Sequence, residues 1–338
     1  EARIAPASGV DAFLAKPVRG QELVQALASV LAVRAARGAA AHRPFGGARV
    51  LLAEDNPVNQ DLARVMLEEL GCEVGLAANG RQALEALAQV RFDVVLMDCQ
   101  MPEMDGFEAM RCLRDPATPR GSGGTPPQVP VVALTANALA GDAARCLAAG
   151  FTDYLAKPFR QQQLADLLAR HLGAPAAPDA VAAYAAAAPQ GPPATDGQPL
   201  AVPGAAQLDH TVIDRIRDME RRGAPDLLRR LIEAYLDSAA RLVVEAEEAI
   251  RHKDVHGLRQ AAHTLKSSSA NLGASELARR CGELESLVHG GRLLAARQQW
   301  PAARQEYERV VLALRALPTA LVAGTAGMDS VASTARAH

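Results

Sequence analysis

Four short apolar runs in the middle of the chain each end at a polar residue. The runs are closed by Glu54-Asp55, Asp98, Thr135 and Lys157. Short apolar runs that alternate with helical segments predict a parallel sheet whose strands are buried on both faces. In such a sheet the carboxyl ends of the strands lie along one edge, where α/β proteins bind ligands. The sequence therefore predicts that three carboxylates, a hydroxyl group and an ammonium group meet at one point.

Carboxylates gathered in this way favour a metal ion. They repel one another, so they stay ionised only with a cation between them, and otherwise their pKa values are raised. An all-oxygen site suits Mg²⁺, which takes one or two protein carboxylates, keeps several waters and leaves positions open for phosphate oxygens. One carboxylate can then attack phosphorus while the metal, Thr135 and Lys157 neutralise charge on the transferring oxygens. The positions alone indicate phosphoryl transfer to an aspartate.

The segments around these positions carry a more specific signal. They read AEDNPVNQ at 53–60, LMDCQMPEMDG at 96–106, ALTANA at 133–138 and DYLAKPF at 153–159. Together they closely resemble the receiver domains of two-component signalling. The resemblance implies a doubly wound, flavodoxin-like α/β fold with a five-stranded parallel sheet.

The resemblance also assigns roles to the polar residues at the strand ends. It implies that Asp98 accepts the phosphoryl group. Glu54, Asp55 and Asp98 would hold Mg²⁺ together with the backbone carbonyl of Gln100. An aspartyl-phosphate phosphatase is an alternative, since such enzymes also use an aspartate at a strand end. Those enzymes need a second acid two residues after the nucleophile, and this chain has Gln100 there.

Three further residues complete the receiver pattern. By the resemblance, Thr135 and Lys157 contact the phosphoryl oxygens, and Tyr154 moves with Thr135 on activation. Taken singly, each has an ordinary alternative. Thr135 could be a helix cap, Lys157 a solvated charge and Tyr154 a core aromatic.

A second chemical signal lies in the helical stretch from 254 to 272. His263 and Lys266 share one face of the predicted helix, because residues three apart are neighbours. This face is nearly opposite a stripe that the spacing predicts to be buried. The pattern predicts an exposed imidazole beside a cation that can offset the charge of a phosphoryl group. The stripe consists of Leu258, Ala261, Ala262, Leu265 and Leu272.

The sequence around this histidine, AHTLKSSSANLGA at 262–274, resembles histidine phosphotransfer (Hpt) domains, which are helical bundles. By that resemblance His263 carries the phosphoryl group and Lys266 assists it. The family usually has glycine after the lysine, where this chain has Ser267, a residue still small enough to let a receiver approach. The alternative is a solvated surface histidine, an interpretation that suits His252 and His256.

The beginning of the chain repeats part of the receiver pattern. Residues 9–17 read GVDAFLAKP, in the form of GFTDYLAKP at 150–158, and a helical pattern follows both. This segment resembles the last strand and helix of another receiver that lacks the acidic pair and the phosphoacceptor. A solitary amphipathic hairpin is the alternative.

Shifts in composition divide the rest of the chain. Residues 115–128 are rich in proline and glycine and predict a surface loop before the fourth strand. The tract at 173–207 is rich in proline and alanine and predicts a disordered or extended tether. The predicted order is a receiver remnant (1–33), a linker (34–47), a receiver (48–172), a second linker (173–207), an Hpt domain (208–317) and a disordered tail (318–338).

Global composition narrows the choice of partners. A length of 338 residues allows two or three domains, and a net charge of −2 gives no signal for nucleic acid or membrane. The five cysteines are scattered, which is typical of reduced thiols in a cytoplasmic protein. No apolar run approaches the roughly 18 residues of a membrane span. The chain begins with Glu1, which hints at a fragment and leaves open that a parent protein is anchored in the inner membrane.

The whole resembles the C-terminal part of a hybrid sensor histidine kinase. The resemblance implies that an upstream kinase domain supplies the phosphoryl group, that Asp98 and His263 pass it on, and that a downstream response regulator receives it. The chain has no ATP-binding kinase motif, so we expect it to relay phosphoryl groups without drawing them from ATP. The alternatives are a non-catalytic receiver scaffold that binds signalling partners and a response regulator with another output.

Overall fold

The computed structural model of the chain describes residues 44–115, 124–135, 140–173 and 206–317. The chain divides into two compact units, one up to Gln198 and one from Pro199 onward. The predicted receiver remnant (1–33), the tail (318–338), and residues 34–43 and 174–205 of the predicted linkers lie outside the described residues.

The first unit is built on five parallel strands in the order β2-β1-β3-β4-β5. Strands β3 and β4 are buried throughout, and β1 is buried after its first residue, as expected when helices cover both faces. The predicted doubly wound receiver fold is confirmed. The strands are β1 (Arg49–Ala53), β2 (Glu73–Ala77), β3 (Val94–Asp98), β4 (Val131–Thr135) and β5 (Asp153–Ala156).

Five helices connect and cover these strands. Asn56, Asn79 and Asp105 cap the first three, because each side chain accepts a hydrogen bond from a backbone N–H of the first turn. Asn56 and Asn79 follow their strands within three residues, and Asp105 follows β3 after a longer turn, so each cap sets the residue at which its helix begins. The helices are α1 (Pro57–Glu69), α2 (Gly80–Gln89), α3 (Gly106–Arg114), α4 (Ala140–Ala148) and α5 (Gln161–Leu172).

Two short stretches are packed where the composition predicted a linker and a surface loop. Phe45, inside the predicted first linker, is buried, and its backbone N–H donates to the carbonyl of Leu70 at 3.1 Å. Thr125, inside the predicted loop, is also buried. Its Oγ1 accepts from the N–H of Phe92 at 2.9 Å and donates to the carbonyl of Val90 at 2.7 Å. Local composition reveals neither the burial of Phe45 nor the hydrogen bonds of the Thr125 hydroxyl.

The second unit is helical throughout its described part, as predicted for an Hpt domain. The central helix α8 packs against both α7 and α9. All five residues of the predicted apolar stripe, four on α8 and Leu272 at its C-cap, are buried, so that prediction is confirmed. None of the described helices has the length and apolar character needed to cross a membrane. The helices are α6 (His210–Arg222), α7 (Leu227–His252), α8 (Val255–Asn271), α9 (Ser275–His289) and α10 (Leu293–Ala316).

The start of this unit is fixed by backbone hydrogen bonds to distant parts of the chain. Ala206, inside the predicted second linker, donates its N–H to the carbonyl of Arg309 on α10 at 3.0 Å. Asp209 donates its N–H to the carbonyl of Gly273 at 2.8 Å. The packed part of the unit therefore begins by Ala206, slightly before the predicted boundary.

Candidate functional site

Three carboxylates meet at the carboxyl edge of the sheet. Glu54 and Asp55 follow β1, and Asp98 ends β3. These two strands are neighbours at the point where the strand order reverses, because β1 also pairs with β2 on its other side. One oxygen from each carboxylate lies within 4.8 Å of the others. The convergence expected from the strand ends is therefore present at the switch point of the sheet.

Lys157 brings an ammonium group to this cluster. The residue follows β5 and is only 8% exposed. Its Nζ donates to Oδ2 of Asp98 at 2.7 Å and to Oε2 of Glu54. Its backbone N–H donates to the carbonyl of Thr135 at 2.6 Å, which fixes the turn after β5 against the end of β4. The alternative of a solvated surface charge is therefore wrong for Lys157.

Charge in the cluster is unbalanced, and the pKa values reflect this. Burial raises the pKa of Glu54, and repulsion from Asp98 adds to the increase. Burial, with repulsion from Asp98 and Glu54, raises the pKa of Asp55 to about 8. Burial alone would lower the pKa of Lys157, but attraction to Asp98 and Glu54 outweighs it, and the net shift is upward. A cation would relieve the excess negative charge, and the all-oxygen donor set fits Mg²⁺.

The other three predicted receiver residues, Thr135, Gln100 and Tyr154, differ in their burial and in their contact with Asp98. Thr135 is buried at the end of β4. Gln100 donates its backbone N–H to Oδ1 of Asp98 at 3.2 Å, which places its backbone beside the carboxylate. The role of its carbonyl as a metal ligand stays a prediction. Tyr154 is 37% exposed on β5, so the alternative of a core aromatic is wrong.

His263 in the second unit is buried, with 4% of its surface exposed. The prediction of an exposed imidazole was therefore wrong. Helical periodicity places His263 on a different face of α8 from the apolar stripe, but it does not show how many helices pack around α8. Because α7 and α9 both contact α8, the face with His263 is covered as well.

A carboxylate that the sequence reasoning missed holds this histidine. Oε1 of Glu285, on α9, lies 2.9 Å from Nδ1 of His263, and Oε2 lies 3.3 Å from Nζ of Lys266. Burial alone would raise the pKa of Glu285, but its hydrogen bond to His263 and the charges of His263 and Lys266 lower it to about 2. No local motif marks Glu285, since it reaches His263 only through the packing of two helices.

The contact with Glu285 fixes which imidazole nitrogen can react. An ionised carboxylate only accepts hydrogen bonds, so Nδ1 of His263 must carry the proton. In the neutral ring Nε2 then holds the free lone pair. Nε2 is buried and has no hydrogen-bond partner among the described residues. The geometry therefore leaves Nε2 as the nucleophilic atom of the imidazole.

Comparison with known protein families gives the same division of the chain. Residues 50–169 match the response regulator receiver domain, and residues 230–319 match the Hpt domain. The chain carries a receiver domain followed by an Hpt domain. These domains, as found in hybrid histidine kinases, indicate phosphorelay signal transduction.

Curated relatives of this receiver–Hpt chain are hybrid sensor histidine kinases. The chain is 33% identical over 276 residues to the sensor protein GacS of Pseudomonas syringae pv. syringae, an alignment covering 81% of the chain and 28% of GacS. It is 31% identical over 242 residues to the signal transduction histidine-protein kinase BarA of Escherichia coli K12, covering 72% of the chain and 24% of BarA. The chain thus spans about a quarter of the length of these relatives.

A solved receiver domain is also similar in sequence. The receiver domain of a sensor histidine kinase from Pseudomonas aeruginosa PAO1 is 46% identical, with a TM-score of 0.34. The similarity covers 38% of this chain and all of that domain. That domain was crystallised with a magnesium ion coordinated in its active site cleft.

Proposed function

We propose that this chain relays phosphoryl groups between Asp98 of the receiver and His263 of the Hpt domain. The observation that carries the proposal is the setting of Asp98. One oxygen of its carboxylate lies within 4.8 Å of an oxygen of Glu54 and of Asp55, and the carboxylate accepts a hydrogen bond from Lys157. A nucleophilic carboxylate, an acidic metal site and a buried ammonium group are the parts that phosphoryl transfer to an aspartate requires.

The receiver step follows from the groups around Asp98. An oxygen of its carboxylate forms a bond to phosphorus as the bond from phosphorus to the donor breaks. Lys157 and the hydroxyl of Thr135 then neutralise charge on the phosphoryl oxygens. Glu54, Asp55 and Asp98 would hold Mg²⁺, with the carbonyl of Gln100 as a further ligand, and the bound ion would withdraw charge from the same oxygens.

The Hpt step uses Nε2 of His263. Its lone pair forms a bond to phosphorus as the bond from phosphorus to the Asp98 oxygen breaks, which restores the Asp98 carboxylate. Glu285 keeps the proton on Nδ1, and Lys266 offsets the charge of the arriving group. Because Nε2 is buried, the imidazole must be uncovered before transfer.

The partners follow from the same chemistry. We infer that an upstream histidine kinase domain phosphorylates Asp98 and that the receiver of a downstream response regulator accepts the group from His263. Movement of Thr135 and Tyr154 would report phosphorylation to those partners. A purely non-catalytic scaffold would not need both a complete acidic site and a histidine with its reactive nitrogen left free.

Labelled acetyl phosphate with Mg²⁺ tests the proposal directly. The wild-type chain should gain base-labile acyl phosphate on Asp98 and acid-labile phosphate on His263. The variant His263→Gln should keep only the acyl phosphate, and Asp98→Asn should acquire neither. Acyl phosphate on the Asp98→Asn variant, or no label on histidine in the wild type, would contradict the proposal.

A further inference from the structure

We propose that Asn59 is a positioning residue for the divalent cation, because it holds the Glu54 carboxylate in a fixed orientation. This inference rests on the proposed function, in which Glu54 is one of the residues that hold Mg²⁺. Asn59 would not touch the metal or the phosphoryl group. It would act through Glu54.

The contact itself is direct and buried. Nδ2 of Asn59 donates to Oε1 of Glu54 at 2.9 Å, and Asn59 is 5% exposed. The backbone N–H of Asn56 lies 3.4 Å from the same oxygen, and Lys157 donates to the other oxygen. Both oxygens of Glu54 thus have a donor. Since rotation of the carboxylate would break these contacts, its orientation is set before a cation arrives.

The start of α1 explains how Asn59 reaches Glu54. Asn56 caps the helix and Pro57 is its first residue, so Asn59 is the third residue of the first turn. Side chains at this position can fold back toward the residues before the helix. Here the target is the carboxylate two residues before the cap. The next residue, Gln60, folds back too, but its Nε2 donates to the backbone carbonyl of Glu54 at 3.0 Å.

The chemical type of Asn59 suits a role beside a metal ligand. An amide fixes a carboxylate oxygen without bringing a positive charge to it. A second lysine or an arginine in this place would compete with Mg²⁺ for Glu54 by adding a cation beside the three carboxylates. A neutral donor orients the ligand and leaves its charge for the metal. Loss of such a supporting contact commonly weakens metal binding about 10- to 100-fold.

The test compares Asn59 with its neighbour Gln60 in the full chain. Asn59→Leu keeps the approximate volume and removes the donor, and Asn59→Ala removes the donor without an apolar group beside Glu54. Gln60→Leu is the matched control, because it removes an amide that donates to the backbone carbonyls of Glu54 and Ala77 and not to the Glu54 carboxylate. Metal affinity is measured with Mn²⁺ by electron paramagnetic resonance, with Mg²⁺ as competitor, and circular dichroism checks that each variant is folded.

We expect Mg²⁺ and Mn²⁺ to bind the two Asn59 variants about 10- to 100-fold more weakly than the wild type, and Gln60→Leu to bind near the wild-type level. The Mg²⁺ concentration that half-saturates the reaction with acetyl phosphate should rise in parallel, while the rate at saturating Mg²⁺ recovers. Wild-type affinity in both folded Asn59 variants would overturn the inference and leave the proposed function standing. An equal loss in Gln60→Leu would also overturn it, since the effect would then come from loosening the turn. A wild-type chain that binds neither ion would overturn the metal site itself.

Discussion

The two side chains proposed to carry phosphate are held in a similar way, although they lie in different folds. Asp98 and His263 are both buried, and each contacts a group of opposite or complementary charge. Lys157 donates a hydrogen bond to one oxygen of Asp98, and Glu285 accepts one from Nδ1 of His263. In the histidine this leaves a single reactive atom, because the second nitrogen has no partner among the described residues. Because both side chains are buried, removing the charged neighbour should affect the stability of the fold as well as the proposed phosphoryl transfer.

Replacing Lys157 by methionine should destabilise the receiver strongly. The change keeps an unbranched side chain but leaves Glu54 and Asp98 buried without their cation. Breaking a buried ion pair from one side costs on the order of 3 kcal/mol. Urea unfolding followed by circular dichroism would measure the loss. The control is Arg170→Met, whose ion pair with Asp153 is more exposed and should be worth roughly 0–1 kcal/mol. Equal losses in the two variants would contradict the role given to Lys157.

Glu285 should make the stability of the Hpt domain depend on pH in the acid range. Its folded pKa of about 2 lies below the ordinary value of 4.5. A carboxyl with a lowered folded pKa stabilises the fold above its unfolded pKa, and the contribution is lost as the pH falls from about 4.5 toward 2. Glu285→Gln should therefore flatten the pH dependence in this window.

Trp300 provides the measurement for this prediction. It is the single tryptophan of the chain and is buried on α10, so its fluorescence reports unfolding of the Hpt domain. Urea curves at pH 6 and pH 3 would be compared for the wild type and Glu285→Gln. Glu283→Gln is the control, because it removes an exposed ion pair from the same helix. A pH dependence that survives in Glu285→Gln would show that another group is responsible.

At the level of elements, the strand ends were the predictable part of the molecule. Buried parallel strands leave short apolar runs in the sequence, and their parallel direction places Glu54, Asp98 and Thr135 on one edge without knowledge of any contact. The surroundings of His263 were not predictable in the same way. Its exposure depends on how α7 and α9 pack around α8, and its contact with Glu285 joins two helices. The periodicity of a single helix predicts neither the exposure of His263 nor its contact with Glu285.

Replacing Gly106 by alanine should destabilise the receiver, whereas replacing Gly282 by alanine should stabilise the Hpt domain. A Cβ at Gly106, the first residue of α3, would lie 2.2 Å from the backbone carbonyl oxygen of Asp98. The variant Gly106→Ala must shift that backbone, so we expect a loss of roughly 1–3 kcal/mol in receiver stability and slower phosphorylation of Asp98. A Cβ at Gly282 in α9 would make an ordinary contact at 3.5 Å with Lys266.

The variant Gly282→Ala is therefore the control for Gly106→Ala. Gly282→Ala should stabilise the Hpt domain by roughly 0.5–1 kcal/mol, because alanine loses less backbone entropy than glycine in a helix. Circular dichroism would follow unfolding of both domains, and fluorescence of Trp300 would report the Hpt domain alone, so the receiver transition is the one seen by circular dichroism without a change in fluorescence. A stabilising effect of Gly106→Ala would show that the Asp98 turn can move freely.

At the scale of the whole molecule, the two side chains proposed to carry phosphate lie in separate units of one chain. Neither unit holds both Asp98 and His263, so the proposed transfer requires contact between a receiver and an Hpt domain, either within one chain or between two chains. The sequence predicts a proline- and alanine-rich linker at 173–207, of which residues 174–205 lie outside the described residues. A covalent link of suitable length holds its partner at an effective concentration on the order of millimolar. Phosphoryl transfer within one chain should then be faster than transfer between chains at micromolar protein concentrations.

We therefore predict that phosphate moves from Asp98 to His263 at a rate that does not depend on protein concentration. Receiver phosphorylation with acetyl phosphate, removal of the donor and timed sampling over a hundredfold range of concentration would measure this rate. The matched control mixes Asp98→Asn with His263→Gln, since each chain then keeps one reactive residue and transfer must occur between molecules. In that mixture the rate should rise in proportion to concentration and stay below the wild-type rate throughout the micromolar range. If the wild type follows the same proportionality as the mixture, the two domains exchange phosphate only between chains.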